Sequence, residues 1–290
     1  MANQKIVVTG AGGQLGRELQ VLAPGFPGFD FIFLSRDQLP IDHFEEVRQF
    51  IKAEKPLYCI NCAAYTAVDR AESEKEMAFL VNGDAAGELA AACQSVSARL
   101  VHISTDYVFD GSTDTALKED DPTSPVNVYG ASKRLGEELV LRQNSDSIVI
   151  RTSWLYSAFG SNFVKTMIRL MNDRESVNVV SDQIGSPTYA GDLARVILQI
   201  ISSGKFVPGI YHYSNEGRIS WYEFALEIRK LIQSGCQVHP IPSSQYPTAS
   251  RRPQFSLLDK SKIRKLYAIS LPDWKSSLEV CIGELKKKTV

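Results

Sequence analysis

The sequence predicts an α/β chain: a doubly wound parallel sheet with a smaller C-terminal substrate-binding domain. Three observations carry this. Short runs of Val, Ile and Leu recur through the first half, each followed by a segment of helical periodicity. Strands that are apolar on both faces and alternate with helices belong to parallel sheets covered on both sides. A glycine cluster, Gly10-Ala11-Gly12-Gly13-Gln14-Leu15-Gly16, directly follows the first run. Past residue 155 the alternation loses its regularity.

Taken in order, Lys5–Thr9 reads as the first strand and Leu15–Leu22 as the first helix. Phe29–Leu34 is the second strand. His43–Lys55 is the second helix, stopped by Pro56, which cannot continue a helical ladder. Leu57–Ala63 is a third strand. Lys75–Cys93 reads as one long helix before the strand Leu100–Ser104, and Tyr129–Gln143 as a helix before the strand Ser147–Trp154. Right-handed crossovers are expected between them. Further on, Asn162–Met171, Asp192–Ile201 and Trp221–Ser234 read as helices, and Val177–Ser181 and Ile210–Tyr213 as strands. Pro240 to Pro253 is rich in Pro and Ser and reads as loop. Pro272–Lys287 reads as a terminal helix with a basic end. The expected division is a dinucleotide-binding domain over 1–156, joined by about 189–214, and a substrate domain over about 157–188 and 215–290.

Composition sets outer limits. The 290 residues are 44% hydrophobic and 22% charged, ordinary for a globular protein of about two domains. Thirty-two Lys plus Arg against 33 Asp plus Glu leave a net charge of -1. That balance gives no general attraction to nucleic acid or anionic membrane, so a small-molecule partner is expected. No apolar run approaches the roughly 18 residues of a spanning helix, and Ile6-Val7-Val8 is too short for a signal-peptide core. A cytoplasmic location is expected. Five cysteines, an odd number, do not suggest a disulfide framework. Cys59 and Cys62 lie three apart on a strand, so they face opposite sides and read as structural. No metal site is predicted.

The glycine cluster suits a Rossmann-type dinucleotide site. Gly10, Gly13 and Gly16 allow a tight turn, close approach of a phosphate and close helix packing. The helix start at Gln14 and Leu15 then offers free N–H groups and a positive dipole end to a pyrophosphate. The second strand ends roughly 20 residues later, where cofactor type is read. There the chain carries Ser35-Arg36-Asp37. Ser35 and Arg36 favour NADPH, while Asp37 keeps NADH open.

Tyr129-Gly130-Ala131-Ser132-Lys133 places a phenol and an ammonium one helical turn apart. A nearby cation lowers the pKa of a tyrosine and suits it to proton exchange with a substrate oxygen. Thr105 ends a buried strand, and ligands of open α/β sheets bind beyond strand carboxyl ends. Thr105, Tyr129 and Lys133 are thus expected to share one crevice. His102 and His212 read as satisfied strand histidines.

A dinucleotide loop, a strand-end Thr and a Tyr-x-x-x-Lys helix, in that order, resemble the extended short-chain dehydrogenase/reductase family. Within it, the dTDP-4-dehydrorhamnose reductases are similar through Asn61–Asp69, Ser104–Gly111, Asn127–Gly130, Arg151–Tyr156, Asp182–Thr188 and Arg252–Leu257. The resemblance spans nearly the whole chain. It implies reduction, by NADPH or NADH, of the C4 keto group of a dTDP-linked 6-deoxy sugar, with Thr105, Tyr129 and Lys133 as triad. It places Gly13, Gln14, Leu15, Asp42, His43, Ala63, Ala64, Tyr65, Thr66 and Ile103 near the dinucleotide. It places Thr105, Asp106, Tyr107, Trp154 and Arg252 near the sugar nucleotide. Some members use a first-helix carboxylate, here Glu18, in a metal-linked dimer contact. Gly191 precedes Asp192 where the partner carboxylate is expected, so its identity is not settled by the sequence, and Mg2+ and a homodimer stay open.

Two alternatives remain. Dehydratases and epimerases share the fold, but Asp106 is followed by Tyr107 rather than Glu, and Gln14 stands where epimerases carry an aromatic. A non-catalytic NADP-binding regulatory subunit of a methionine adenosyltransferase also resembles this family; the intact triad argues against it.

Overall fold

The structure, a computed structural model, describes residues 4–289. Strands β1 (Gln4–Thr9), β2 (Phe29–Leu34), β3 (Tyr58–Asn61), β4 (Arg99–Thr105) and β5 (Ser147–Thr152) form a parallel sheet with the late strand Gly209–Tyr213. The spatial order is Gly209–Tyr213, β5, β4, β3, β1, β2. β1 therefore lies between β2 and β3, and the winding reverses there. All six carboxyl ends meet along one edge, and the reversal opens a crevice beside β1.

Alternation along the strands fills both faces. Ile6, Val8, Ile60, Val101 and Ile150 point to one side, packing on helix α1 (Gln14–Leu22) and the Ala190–Ser202 helix. Val7, Cys59, Leu100 and Val149 point to the other, against the Phe44–Glu54 and Ala85–Ser95 helices. Cys59 and Cys62 pack against these two opposite clusters, as their spacing predicts.

A third cluster stands apart from the sheet. Tyr156, Val164, Met167, Phe224, Trp274 and Leu278 pack among the helices Phe163–Asp173, Trp221–Leu231 and Trp274–Thr289. A two-stranded parallel pair, Ser176–Val180 with Gln237–Ile241, flanks it. Among the described residues, no helix is long and apolar enough to cross a membrane.

Three local expectations are corrected. The helix expected over Lys75–Cys93 is interrupted by a π turn at Leu80–Asp84. That turn aims the Asn82 side chain at both backbone groups of Tyr65 and at Ser132. The stretch read as loop from Pro240 begins inside a strand, because Pro240 sits in a two-stranded pair where a missing N–H is tolerated. The strand expected through Trp154 ends at Thr152, since Trp154 adopts φ 48°, a left-handed conformation.

Candidate active site

The glycine loop follows β1. Gly10 has φ +65°, and a Cβ there would lie 2.5 Å from the Ala63 nitrogen, so glycine is required on both counts. A Cβ at Gly16 would lie 2.6 Å from Ala11 Cα, which lets α1 pack close to the loop. Gly13 caps α1 in extended geometry with no side-chain cap. The first N–H groups of the helix, at Gln14 and Leu15, therefore face outward for an anion. The Gln14 side chain is engaged elsewhere: its amide N–H reaches the Leu155 carbonyl, and its Oε1 accepts from Asn162 at 2.9 Å. Leu15 is buried in the core beneath.

A groove of about 620 Å³ runs beside this loop, lined by Gly12, Arg17, Gln20, Ser35 and Gln38. Arg36 is exposed next to Ser35 at the end of β2. Asp42 and His43 precede the next helix, with His43 paired to Glu46 at 3.1 Å. Beyond β3, Ala63, Ala64, Tyr65 and Thr66 form a loop held from below. The Ala63 N–H donates to Asn61 Oδ1, the Tyr65 N–H to Asn82 Oδ1, and the Tyr65 hydroxyl to Glu74.

Thr105, Tyr129 and Lys133 gather near the end of β4. Thr105 Oγ1 donates to Asp106 Oδ1 at 3.0 Å and accepts from the Tyr107 N–H at 3.2 Å. The Tyr129 helix, Val128–Gln143, starts on an Asn127 cap that accepts from the Gly130 N–H at 2.7 Å. Tyr107 and Tyr129 rings meet edge to face at 5.7 Å. Lys133 is 2% exposed, donates to the Ile103 carbonyl at 2.6 Å and lies 3.4 Å from His102 Nε2. Burial pulls Lys133 down to about 8, with Glu137 opposing.

Tyr129 departs from expectation. Burial pushes its phenol up to about 12; the Thr105 hydroxyl offsets part of this, and the Asp106 charge adds to the rise. Spacing alone pairs Tyr129 with Lys133 and predicts a lowered value. The structure gives the ammonium to the Ile103 carbonyl, and desolvation decides the direction.

Asp106 is 2% exposed, its Oδ2 has no hydrogen-bond partner, and burial raises its carboxyl to about 6. A buried polar atom without a partner is uncommon and calls for a reason; the Ser256 and Thr105 hydroxyls partly offset the effect of burial on this carboxyl. Arg252 bridges to Asp69 at 2.8 Å behind Tyr107. Trp154 stacks on Trp221 with centroids 3.7 Å apart. A second cleft, about 1570 Å³, opens alongside and is lined in part by Trp221, Arg174, Arg251, Arg252 and Tyr246. Arg174, Arg251 and Trp221 carried no signal in the sequence. Only the cleft groups three guanidiniums, which suit a diphosphate, with an aromatic platform. Glu18, in contrast, is buried and accepts from the Ser157 hydroxyl.

Fold and site together define a dinucleotide-dependent oxidoreductase of the Rossmann type. Residues 4–287 match the family described as RmlD substrate binding domain. The chain is 40% identical over 300 residues to dTDP-4-dehydrorhamnose reductase of Burkholderia thailandensis, covering 97% of this chain and 99% of the relative. It is 38% identical to dTDP-4-keto-6-deoxy-D-glucose reductase of Streptomyces niveus, with 94% of each covered. A crystal structure of dTDP-4-dehydrorhamnose reductase from Bacillus anthracis in complex with NADP superposes with a TM-score of 0.94 at 40% identity, covering 98% of this chain and all of that one. The chain belongs to the dTDP-4-dehydrorhamnose reductase family.

Proposed function

We propose that this protein uses NADPH to reduce the C4 keto group of dTDP-4-dehydro-6-deoxy-L-mannose, yielding dTDP-L-rhamnose. The observation that carries this reading is the convergence of Thr105, Tyr129 and Lys133 at the β4 end, in a chain of this family, beside a cradle that only glycine fits at residue 10. The cradle and the bare helix start suit a pyrophosphate, and Ser35 and Arg36 suit the adenosine ribose and its phosphate. NADPH bound there supplies the hydride. Lys133 and the loop from Ala63 to Thr66 hold and orient the dinucleotide.

As the carbonyl becomes an alkoxide, a donor must meet the developing charge. Tyr129 fills this role: a phenol raised to about 12 stays protonated at neutral pH, as an acid must. The Thr105 hydroxyl fixes the position of the same oxygen. The unpartnered Asp106 Oδ2 accepts a sugar hydroxyl, and the cleft with Arg174, Arg251 and Trp221 receives the nucleotide diphosphate. Division of labour follows the cores: the sheet side, with the late strand Gly209–Tyr213, serves the dinucleotide, and the third cluster serves the sugar nucleotide.

The Streptomyces relative supports a second reading, reduction of the D-gluco 4-keto sugar. Loss of NADPH absorbance with each 4-keto sugar nucleotide, followed by product stereochemistry, separates the two. Folded protein that consumes NADPH with neither sugar would sink both and favour a non-catalytic dinucleotide-binding role.

A further inference from the structure

Thr9, Asn61 and His102 stand in one row across β1, β3 and β4, paired in register and buried. Asn61 Oδ1 accepts from the Thr9 hydroxyl at 2.8 Å and from the Ala63 backbone N–H at 3.1 Å. A backbone N–H can only donate, so the Asn61 amide has a single workable orientation. Its Nδ2 then faces His102 Nδ1 at 3.1 Å. An amide N–H donates, so Nδ1 accepts, and neutral His102 carries its proton on Nε2. Burial, and the charge of Lys133, hold His102 well below its usual range, so it is neutral.

Nε2 points at Lys133 Nζ, 3.4 Å away. An ammonium has no lone pair and cannot accept that proton. A neutral amine accepts it and still donates to the Ile103 carbonyl. We propose that Asn61 and His102 are positioning residues for Lys133: Asn61 locks His102 in the Nε2–H tautomer, and this N–H favours the amine of Lys133 over its ammonium. The role assigned to Lys133 rests on the function proposed above; the tautomer does not.

Burial itself lowers Lys133, and the His102 contact acts in the same direction. Glu137, one turn along the helix, favours the ammonium, but its oxygens are taken by Arg151 and Ser104. Gly136 packs over the imidazole, where a Cβ would lie 3.6 Å from Nε2, and Asn82 backs Gly136 with a neutral carbonyl. With Lys133 near its midpoint at about 8, activity should fall above that pH as the ammonium that helps hold the dinucleotide is lost.

The direct test is nitrogen NMR of protein labelled at its four histidines, with His102 assigned through its loss in His102→Gln. Protonated Nε2 and unprotonated Nδ1 are expected. Protonated Nδ1 in the parent overturns the proposal. This readout needs no turnover, so it stands even if the catalytic reading falls. Asn61→Asp keeps Oδ1 and replaces the donor with an acceptor. It should reverse the tautomer and move the alkaline limb of the kcat/KM profile up by about one pH unit or more. Activity lost equally at every pH, with the limb in place, marks a merely structural residue and overturns it too. Should Asn61→Asp not fold, the tautomer of the parent decides.

Discussion

Glu137→Gln is expected to cost about 3–5 kcal/mol of stability, because it strands a buried charge. The Arg151 guanidinium is 2% exposed, and it donates to Glu137 through Nε at 2.9 Å and Nη2 at 2.8 Å. Its other neighbours are the Glu119 carbonyl at 3.3 Å, His212 Nε2 at 3.4 Å and the Phe109 ring at 5.0 Å. None carries compensating charge; burial and Arg151 itself hold His212 down at about 3, so it is neutral. Glutamine keeps the shape but turns an N–H toward the guanidinium. Removing both charges in Glu137→Met with Arg151→Met should cost less than the two single substitutions added together. It still leaves the Ser104 hydroxyl, His212 and the Glu119 carbonyl without these partners, about 1–3 kcal/mol each. Urea unfolding of the parent, each single variant and the double variant measures the coupling, expected above about 2 kcal/mol. Single costs that add within about 0.5 kcal/mol would show that the two charges act independently and refute the reasoning.

Tyr129→Phe should lower kcat by about 10²–10⁴-fold while leaving NADPH affinity nearly unchanged; near-full kcat, with a deuterium isotope effect showing hydride transfer to be limiting, would place the proton donor elsewhere. Arg36→Ala should weaken NADPH binding by about 1.5–3 kcal/mol and spare NADH; equal losses in a titration would shift the phosphate contact to Arg17, which lines the adjoining groove. Asp106 binds a proton in the folded state up to about pH 6, against 3.8 for an ordinary aspartate. Its contribution is thus present at low pH and lost as pH rises through that window, about 3 kcal/mol in all. Asp106→Asn should remove this loss and be more stable than the parent at pH 7, as read by unfolding at pH 4 and pH 7; an unchanged difference between the two pH values would count against it.

Local signals were legible where a pattern needs no distant partner. Runs such as Ile6-Val7-Val8 and the glycines at 10, 13 and 16 report their own geometry, so the strands, the nucleotide loop and the order of Thr105, Tyr129 and Lys133 could be read directly. What escaped depends on contacts far along the chain. Asn82 looks like any polar residue in a helix until Tyr65 and Ser132 are placed beside it. Pro240 hides a strand whose partner lies about sixty residues earlier, at Val179. The direction of the Tyr129 shift was misread because spacing reports neighbours but not burial.

The placement of polar residues on β4 follows from what the site demands. His102 and Ser104 share one face of the strand, under the Tyr129 helix, where a purely apolar strand would pack well. Apolar packing is non-directional and would leave the helix free to rotate or slide. His102 instead meets Lys133, and Ser104 donates to Glu137, so two polar anchors one turn apart set its register. Glycine completes the arrangement: a Cβ at Gly130 would lie 2.1 Å from the Tyr107 carbonyl oxygen, and one at Gly136 2.1 Å from that of Asn82. The helix is thus seated by backbone contact at two points and by hydrogen bonds at two more. Tyr129 lies next to the first of these contacts, so an alanine at Gly130 should displace the phenol itself. Alanine at Gly136 should instead move Lys133, and the two variants should separate loss of kcat from loss of NADPH affinity.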